Sequence, residues 1–495
     1  MKFRFRILFT ILLLLVILPV RMDAEEAENI SSIDLITDSE NMAYPLWLFN
    51  QDETTPQTSK PGLSFTLTHE KGFGSLYIVF DVPYGAYTLK NNDDGREVTC
   101  GQNNFIHEFV DVQGLFGMAP KSLTITFGDH EVKLCEIRAY TEGDVPADVQ
   151  KWKRAPEEGV DLLAFPTHGD DEELFFAGML PYYAGEKEYE VQVAYSTDHH
   201  NLGMLRTHEM LNSLWAVGVR NYPVFGPFPD FLTKNASAAV AAIQPYKFTE
   251  DDVKAYVVEQ IRRFKPLVIV GHDLEGEYGH GFHRLYGRIV QEASDISMDP
   301  DKYPESAEKY GVWDAPKTYT HLFADNPIHM NWDVPLEKFD GMTAYEVSKE
   351  IGFPTYKSQY SGFAWYFNYK DTAEDIKEMS PCDFGLYRTT VGADVNKNDL
   401  FENLEPRKLG GYQPEEETEP AETIQATTEE TTEPQNTAEE TKTPEPPGPA
   451  PDLQKKLAEK TEKRMNMAFL ALGISLLFAL ILTIILTVLV RKKRK

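Results

Sequence analysis

Pro166-Thr167-His168-Gly169-Asp170-Asp171-Glu172 is the stretch on which the fold turns. It follows the run 160–165, apolar except for Asp161, and leads into a helix-like pattern, so it reads as the turn from a buried strand into a helix. A second stretch, Gly276-Glu277-Tyr278-Gly279-His280-Gly281-Phe282-His283, stands in the same kind of place beyond the apolar run 266–270. In open α/β sheets, ligands bind beyond the carboxyl ends of the strands, where both stretches begin. A His and a carboxylate from the first and a His from the second would give one metal ion a facial set of N and O ligands. A carboxylate (Asp170) and an imidazole (His280) are left over, the two groups a metal-assisted hydrolysis needs for proton transfer.

Outward from the motifs the rhythm is strand, loop, helix. Strands are expected at 160–165, 191–195 and 266–270, and helices at 172–183, 203–217, 253–264 and 280–293. This alternation predicts an α/β domain over 158–405 with a mostly parallel sheet covered on both faces. Its last part, 294–404, is rich in Tyr, Trp, Phe and Asp and reads as a lid or an extension. Upstream, residues 28–145 alternate apolar and polar in short runs such as Ser75-Leu76-Tyr77-Ile78-Val79-Phe80, separated by turn residues such as Asn91-Asn92-Asp93-Asp94-Gly95. That pattern predicts an antiparallel β-sandwich. Cys100 and Cys135 both fall in it and would either pair or stay as small buried thiols; with Cys382, three cysteines are too few for a disulfide framework.

The net charge of −30 argues against nucleic acid or an anionic membrane surface as partner. About a third of the excess sits in 413–451, which holds eleven Glu and one Lys. With its Thr and Pro content, segment 412–452 reads as an extended acidic stalk. Lys2, Arg4 and Arg6 before the apolar run 7–20 read as a signal peptide over 1–24. Residues 467–490 carry no charge and are long enough to span a bilayer, and 491–495 form a basic tail that the positive-inside rule places in the cytoplasm. The expectation is a single-pass protein of the cell membrane with its catalytic domain outside.

The two motifs resemble the LmbE/PIG-L family of metal-dependent N-deacetylases, which act on acetamido sugars on a Rossmann-like fold, usually with zinc. The resemblance implies that His168, Asp171 and His283 are metal ligands and that Asp170 is the general base. It implies that His280 stabilises the oxyanion and protonates the leaving amine. Arg206-Thr207-His208-Glu209 and Val217-Gly218-Val219 are similar to a further family pattern, which implies substrate orientation by Arg206. Thr167 and Gly169 depart from the family motif. The sandwich, judged by its strand spacing and its closing run Glu136-Ile137-Arg138-Ala139-Tyr140, resembles a discoidin-like (galactose-binding-like) domain, which implies glycan binding or a spacer role.

Plainer readings stand beside these. Arg206 and Glu209 would also suit an intrahelical ion pair. Glu277 suits substrate contact or turn chemistry, Glu172 a structural role, and His272 a place near the site. Asp198-His199-His200 resembles a second metal cluster, though adjacent histidines rarely both bind one ion. Together the residues point to a zinc-dependent hydrolase that removes N-acetyl groups from N-acetylated sugars in extracellular glycans. The alternative is a non-catalytic glycan-binding adhesion protein on a hydrolase fold.

Overall fold

The computed structural model describes residues 25–42, 44–197 and 204–407, all within one compact unit, Met1–Glu415. The expected signal peptide, Asp198-His199-His200, the stalk, the membrane span and the basic tail lie outside the described residues. Among the described residues, no helix is long and apolar enough to cross a membrane.

The N-terminal region is two antiparallel sheets. One has the order β1 (Ile36–Glu40), β3 (Ser64–Thr68), β8 (Ser122–Thr126), β5 (Tyr87–Asn91), β6 (Glu97–Cys100). The other runs β2 (Gln57–Ser59), β9 (Val132–Tyr140), β4 (Ser75–Phe80), β7 (His107–Val110). Alternation builds it: Phe65, Leu67, Leu123 and Ile125 turn inward, while Thr66 and Thr124 join hydroxyls across the outer face at 2.9 Å. Strand β4 is buried along its whole length because both its faces are covered. Leu76, Ile78 and Phe80 enter the core between the sheets, whereas Tyr77 and Val79 join Cys135, Tyr140 and Val149 on the other side. The three cysteines are free and buried. Cys100 belongs to the inner core and Cys135 to the opposite face of its sheet, so they do not pair.

The second region is a seven-stranded sheet in the order β12 (Val224–Phe228), β11 (Val191–Thr197), β10 (Leu162–Ala164), β13 (Val268–Gly271), β14 (Lys317–His321), β16 (Asp383–Thr389), β15 (Pro327–His329). The first five strands are parallel, and β16 and β15 add antiparallel. Helices α1 (Asp171–Leu174), α2 (Leu205–Ala216), α3 (Ala236–Ile243), α4 (Glu250–Phe264) and α5 (Gly281–Ile296) cover it. Two expectations change. The single helix over 172–183 is one turn, α1, a kink at Gly178 (φ 88°), and then a π-helical turn Pro181–Glu186. A side chain at Gly178 would strike the Trp332 ring, which is seated against that backbone. Strand β12, with Gly226 and Pro227 inside it, was not among the strands expected. Proline is tolerated because β12 is the edge of the sheet.

Candidate metal centre and active site

Strands β10 and β13 are neighbours, yet the chain leaves β10 toward β11 on one side and β13 toward β14 on the other. A crevice therefore opens at their carboxyl ends. The loop after β10 delivers His168, Asp170 and Asp171; the loop after β13 delivers His272 and Glu277, and α5 begins at His280 and carries His283. All of these side chains are buried.

Three of them converge. Nδ1 of His168 lies 3.0 Å from Nε2 of His283 and 3.2 Å from Oδ2 of Asp171, and Nε2 of His283 lies 3.4 Å from Oδ1 of Asp171. Ligand atoms about 2.0–2.1 Å from a tetrahedral zinc lie about 3.3 Å apart, so this triangle fits such an ion. The outer nitrogens support it. Nε2 of His168 is 2.9 Å from Oδ1 of Asp230, and Nδ1 of His283 is 2.7 Å from Oε2 of Glu277. A carboxylate on the outer nitrogen holds the proton there and turns the lone pair of the inner nitrogen toward the metal. Asp171 Oδ2 also accepts the backbone N–H groups of Thr167 and His168. Burial pushes its carboxyl up, but His283, His168 and His272 outweigh this and hold it well below the usual range. Two overlapping groups can hold an ion, His168 with His280 and His283, and Asp171 with His272 and His283.

Asp170 and His280 flank this triangle. Asp170 sits at φ 121°, a conformation costly for a side-chain-bearing residue. Burial pushes its carboxyl up to about 8, against the opposing charge of Arg206 at 3.5 Å. His280 caps α5: its Nδ1 accepts the N–H of Phe282 at 3.2 Å, so the ring proton belongs on Nε2. Burial, then His168 and His283, push this imidazole down to about 2.

Glu277 stands elsewhere than substrate contact requires. It is fully buried and gathers three imidazoles, those of His272 (2.9 Å), His283 (2.7 Å) and His321 (2.6 Å). From the tight turn it occupies, its carboxylate can orient all three rings. Arg206 is likewise buried; it donates to the carbonyl of Gly169 and braces the loop that bears Asp170. Glu209, one turn further along α2, accepts from Ser358 N (2.8 Å) and Oγ (2.6 Å), tying α2 to the extension above the site. Glu172 meets the hydroxyl of Tyr356. Asp230 and His321 escaped sequence reading: Asp230 follows β12, which was not among the strands expected, and neither residue belongs to a spaced motif. His272 is fully buried; its Nε2 accepts the N–H of Thr167 at 2.9 Å and lies 3.3 Å from Asp171.

Residues 163–294 match the family model described as PIG-L: GlcNAc-PI de-N-acetylase. A 1D-myo-inositol 2-acetamido-2-deoxy-alpha-D-glucopyranoside deacetylase from Catenulispora acidiphila is 26% identical over 39% of this chain and 66% of its own length. A deacetylase of the same description from Saccharopolyspora erythraea is 33% identical over 24% of this chain and 43% of its own. Among solved structures, the N,N'-diacetylchitobiose deacetylase from Pyrococcus horikoshii covers 46% of this chain and 84% of its own at 16% identity, with a TM-score of 0.32. The chain spans 66% and 43% of the length of these two curated relatives. The stretch 163–294, which holds His168, Asp171 and His283, is similar to the PIG-L family of deacetylases.

Proposed function

We propose that this chain is a zinc-dependent N-deacetylase that frees acetate from N-acetylated sugars in glycans outside the cell. The observation that carries the reading is the convergence of His168 Nδ1, His283 Nε2 and Asp171 at 3.0–3.4 Å, with each imidazole's outer nitrogen held by a carboxylate. A bound metal would polarise the acetamido carbonyl and acidify the attacking water. Asp170 takes the proton of that water as the new C–O bond forms. His280, its Nδ1 occupied by a backbone N–H, acts as a neutral donor toward the carbonyl oxygen as charge develops there. The C–N bond then breaks, and Asp170 returns the proton to the nitrogen, giving acetate and a free amine. That final transfer, expected of His280 from sequence, fits Asp170 better, because a ring held neutral has no second proton to give.

The extracellular reading rests on the N-terminal signal pattern and on the span 467–490 with its basic tail. The adhesion alternative is disfavoured by a site that keeps every residue its chemistry needs. Acetate release by the full chain from a panel of N-acetylated glycans tests the activity, with metal content measured in parallel. Absence of release with metal present would leave the adhesion reading. Protease added to intact, wall-free cells should release an active fragment; protection of the enzyme until the membrane is breached would refute the location.

A further inference from the structure

Helix α2 has a second function-bearing side. Away from the metal centre it forms one wall of a cleft of about 940 Å3, whose other wall is the N-terminal β region. Five carboxylates line it (Asp52, Glu53, Glu136, Asp148, Glu209) against two cations, Arg138 and Lys357. Arg138 is already committed, 3.2 Å from Glu53 and 2.5 Å from Asp148. The remaining lining is amide and hydroxyl, from Asn29, Ser31, Gln51 and Asn212 among others, with the ring of Phe49 beside them.

The second observation is His208, which lines the cleft at 1% exposure. Its Nδ1 is 2.7 Å from Nε2 of His107, whose own Nδ1 is 2.6 Å from the Tyr77 hydroxyl. With the phenol donating, the relay places the outermost proton on Nε2 of His208, and that buried atom has no hydrogen-bond partner. A buried N–H without an acceptor costs free energy that a ligand oxygen would recover.

We propose that this cleft is a carbohydrate subsite for a de-N-acetylated amino-sugar unit, a cationic pyranose whose hydroxyls meet His208 and the amides and whose ammonium meets the carboxylates. The inference rests on the deacetylase reading above and extends it. A cleft with net negative lining selects the amine that the reaction makes over the acetamide it consumes. Glu209 and Thr355 line the cleft while also fastening the segment above the metal centre. The substrate class is therefore a polymer that already carries some free amines, held by a finished unit while another is cleaved.

The test is calorimetric titration of the full chain with a β-1,4-linked glucosamine tetramer, which the enzyme cannot turn over. Binding should weaken at least tenfold in Asp52→Asn/Glu53→Gln, persist in His283→Ala, and fall with added salt. Lys357→Glu should tighten it several-fold, a gain that a misfolded variant cannot mimic. Relative to wild-type enzyme, the double variant should show a raised KM for partly deacetylated polymer and unchanged acetate release from an N-acetylated monosaccharide. Three results would overturn the proposal. These are no binding of the tetramer by wild type, loss in His283→Ala with retention in the double variant, and a cleft that takes up calcium in place of the sugar. If the tetramer binds as described but no acetate is ever released, the deacetylase reading fails and the subsite stands.

Discussion

Two buried histidine networks lie on opposite sides of α2, and they are built on opposite electrical plans. In the metal centre, carboxylates meet the imidazoles: Asp230 on His168, and Glu277 on His272, His283 and His321. In the seam between the two regions, His107 and His208 meet each other and a phenol, with no carboxylate bonded to either ring. At Glu277 burial pushes the carboxyl up, and the three imidazoles still hold it well below the usual range. In the seam burial, with Arg138 adding to it at His107 and His107 adding to it at His208, pushes both imidazoles down to about 3, and the weaker pull of Glu53 and Asp52 on His208 does not reverse it. The same residue type thus becomes a fixed candidate ligand in one place and a neutral, acid-sensitive strut in the other. The neighbouring charge decides which.

The comparison is broken most forcefully at the centre. His283→Ala should lose most of the bound metal, and Asp170→Asn should keep the metal while turnover falls by about 10²–10⁴. Metal analysis and acetate assay separate the two, and full metal occupancy in the alanine variant would remove His283 from the ligand set. Next in size is Glu277→Gln, which keeps the shape but not the charge. Metal affinity should fall by about 10–100-fold, the usual consequence of losing a carboxylate behind ligating imidazoles. Competition with a chelator reads it, and unchanged affinity would reduce Glu277 to turn chemistry.

The seam should answer to acid. Each ring is neutral in the fold but protonates near 6.5 when the chain unfolds, so the unfolded state binds more protons between about 3 and 6.5. Stability is therefore full above pH 6.5 and is lost as pH falls below it, by about 2 kcal/mol per ring at pH 5. Chemical denaturation at pH 7.5 and 5 measures this; equal stability at both would mean the rings are not held neutral. The smallest effect concerns the loop itself. A Cβ at Gly169 would meet the Met210 side chain at 2.2 Å, so Met210 occupies the space that a larger residue at 169 would need. Gly169→Ala should cost about 1–3 kcal/mol by overpacking, and less when Met210→Ala is already present. Additive costs in a double-mutant cycle would show that Met210 does not fill that space.

Much of this molecule was legible because its chemistry is local. His168, Asp170 and Asp171 share one turn, and His280 and His283 share the start of one helix, so spacing alone brought out both halves of the site. The strand and helix rhythm from 160 to 293 was equally legible, since burial on both faces makes parallel strands read as unbroken apolar runs. The exceptions were places where a distant contact overrules the local pattern. The Trp332 ring seated on Gly178 breaks the expected helix, and an edge position lets Pro227 lie in a strand. Asp230, His321 and the His107–His208 pair were illegible for a related reason: each acquires its meaning from a partner far away in the chain, 62, 44 and 101 residues off. The sequence by itself determined which side chains could bind a metal and move a proton. Only the tertiary structure decided that Glu277 gathers three imidazoles, because a buried carboxylate takes its role from the charges that folding brings around it.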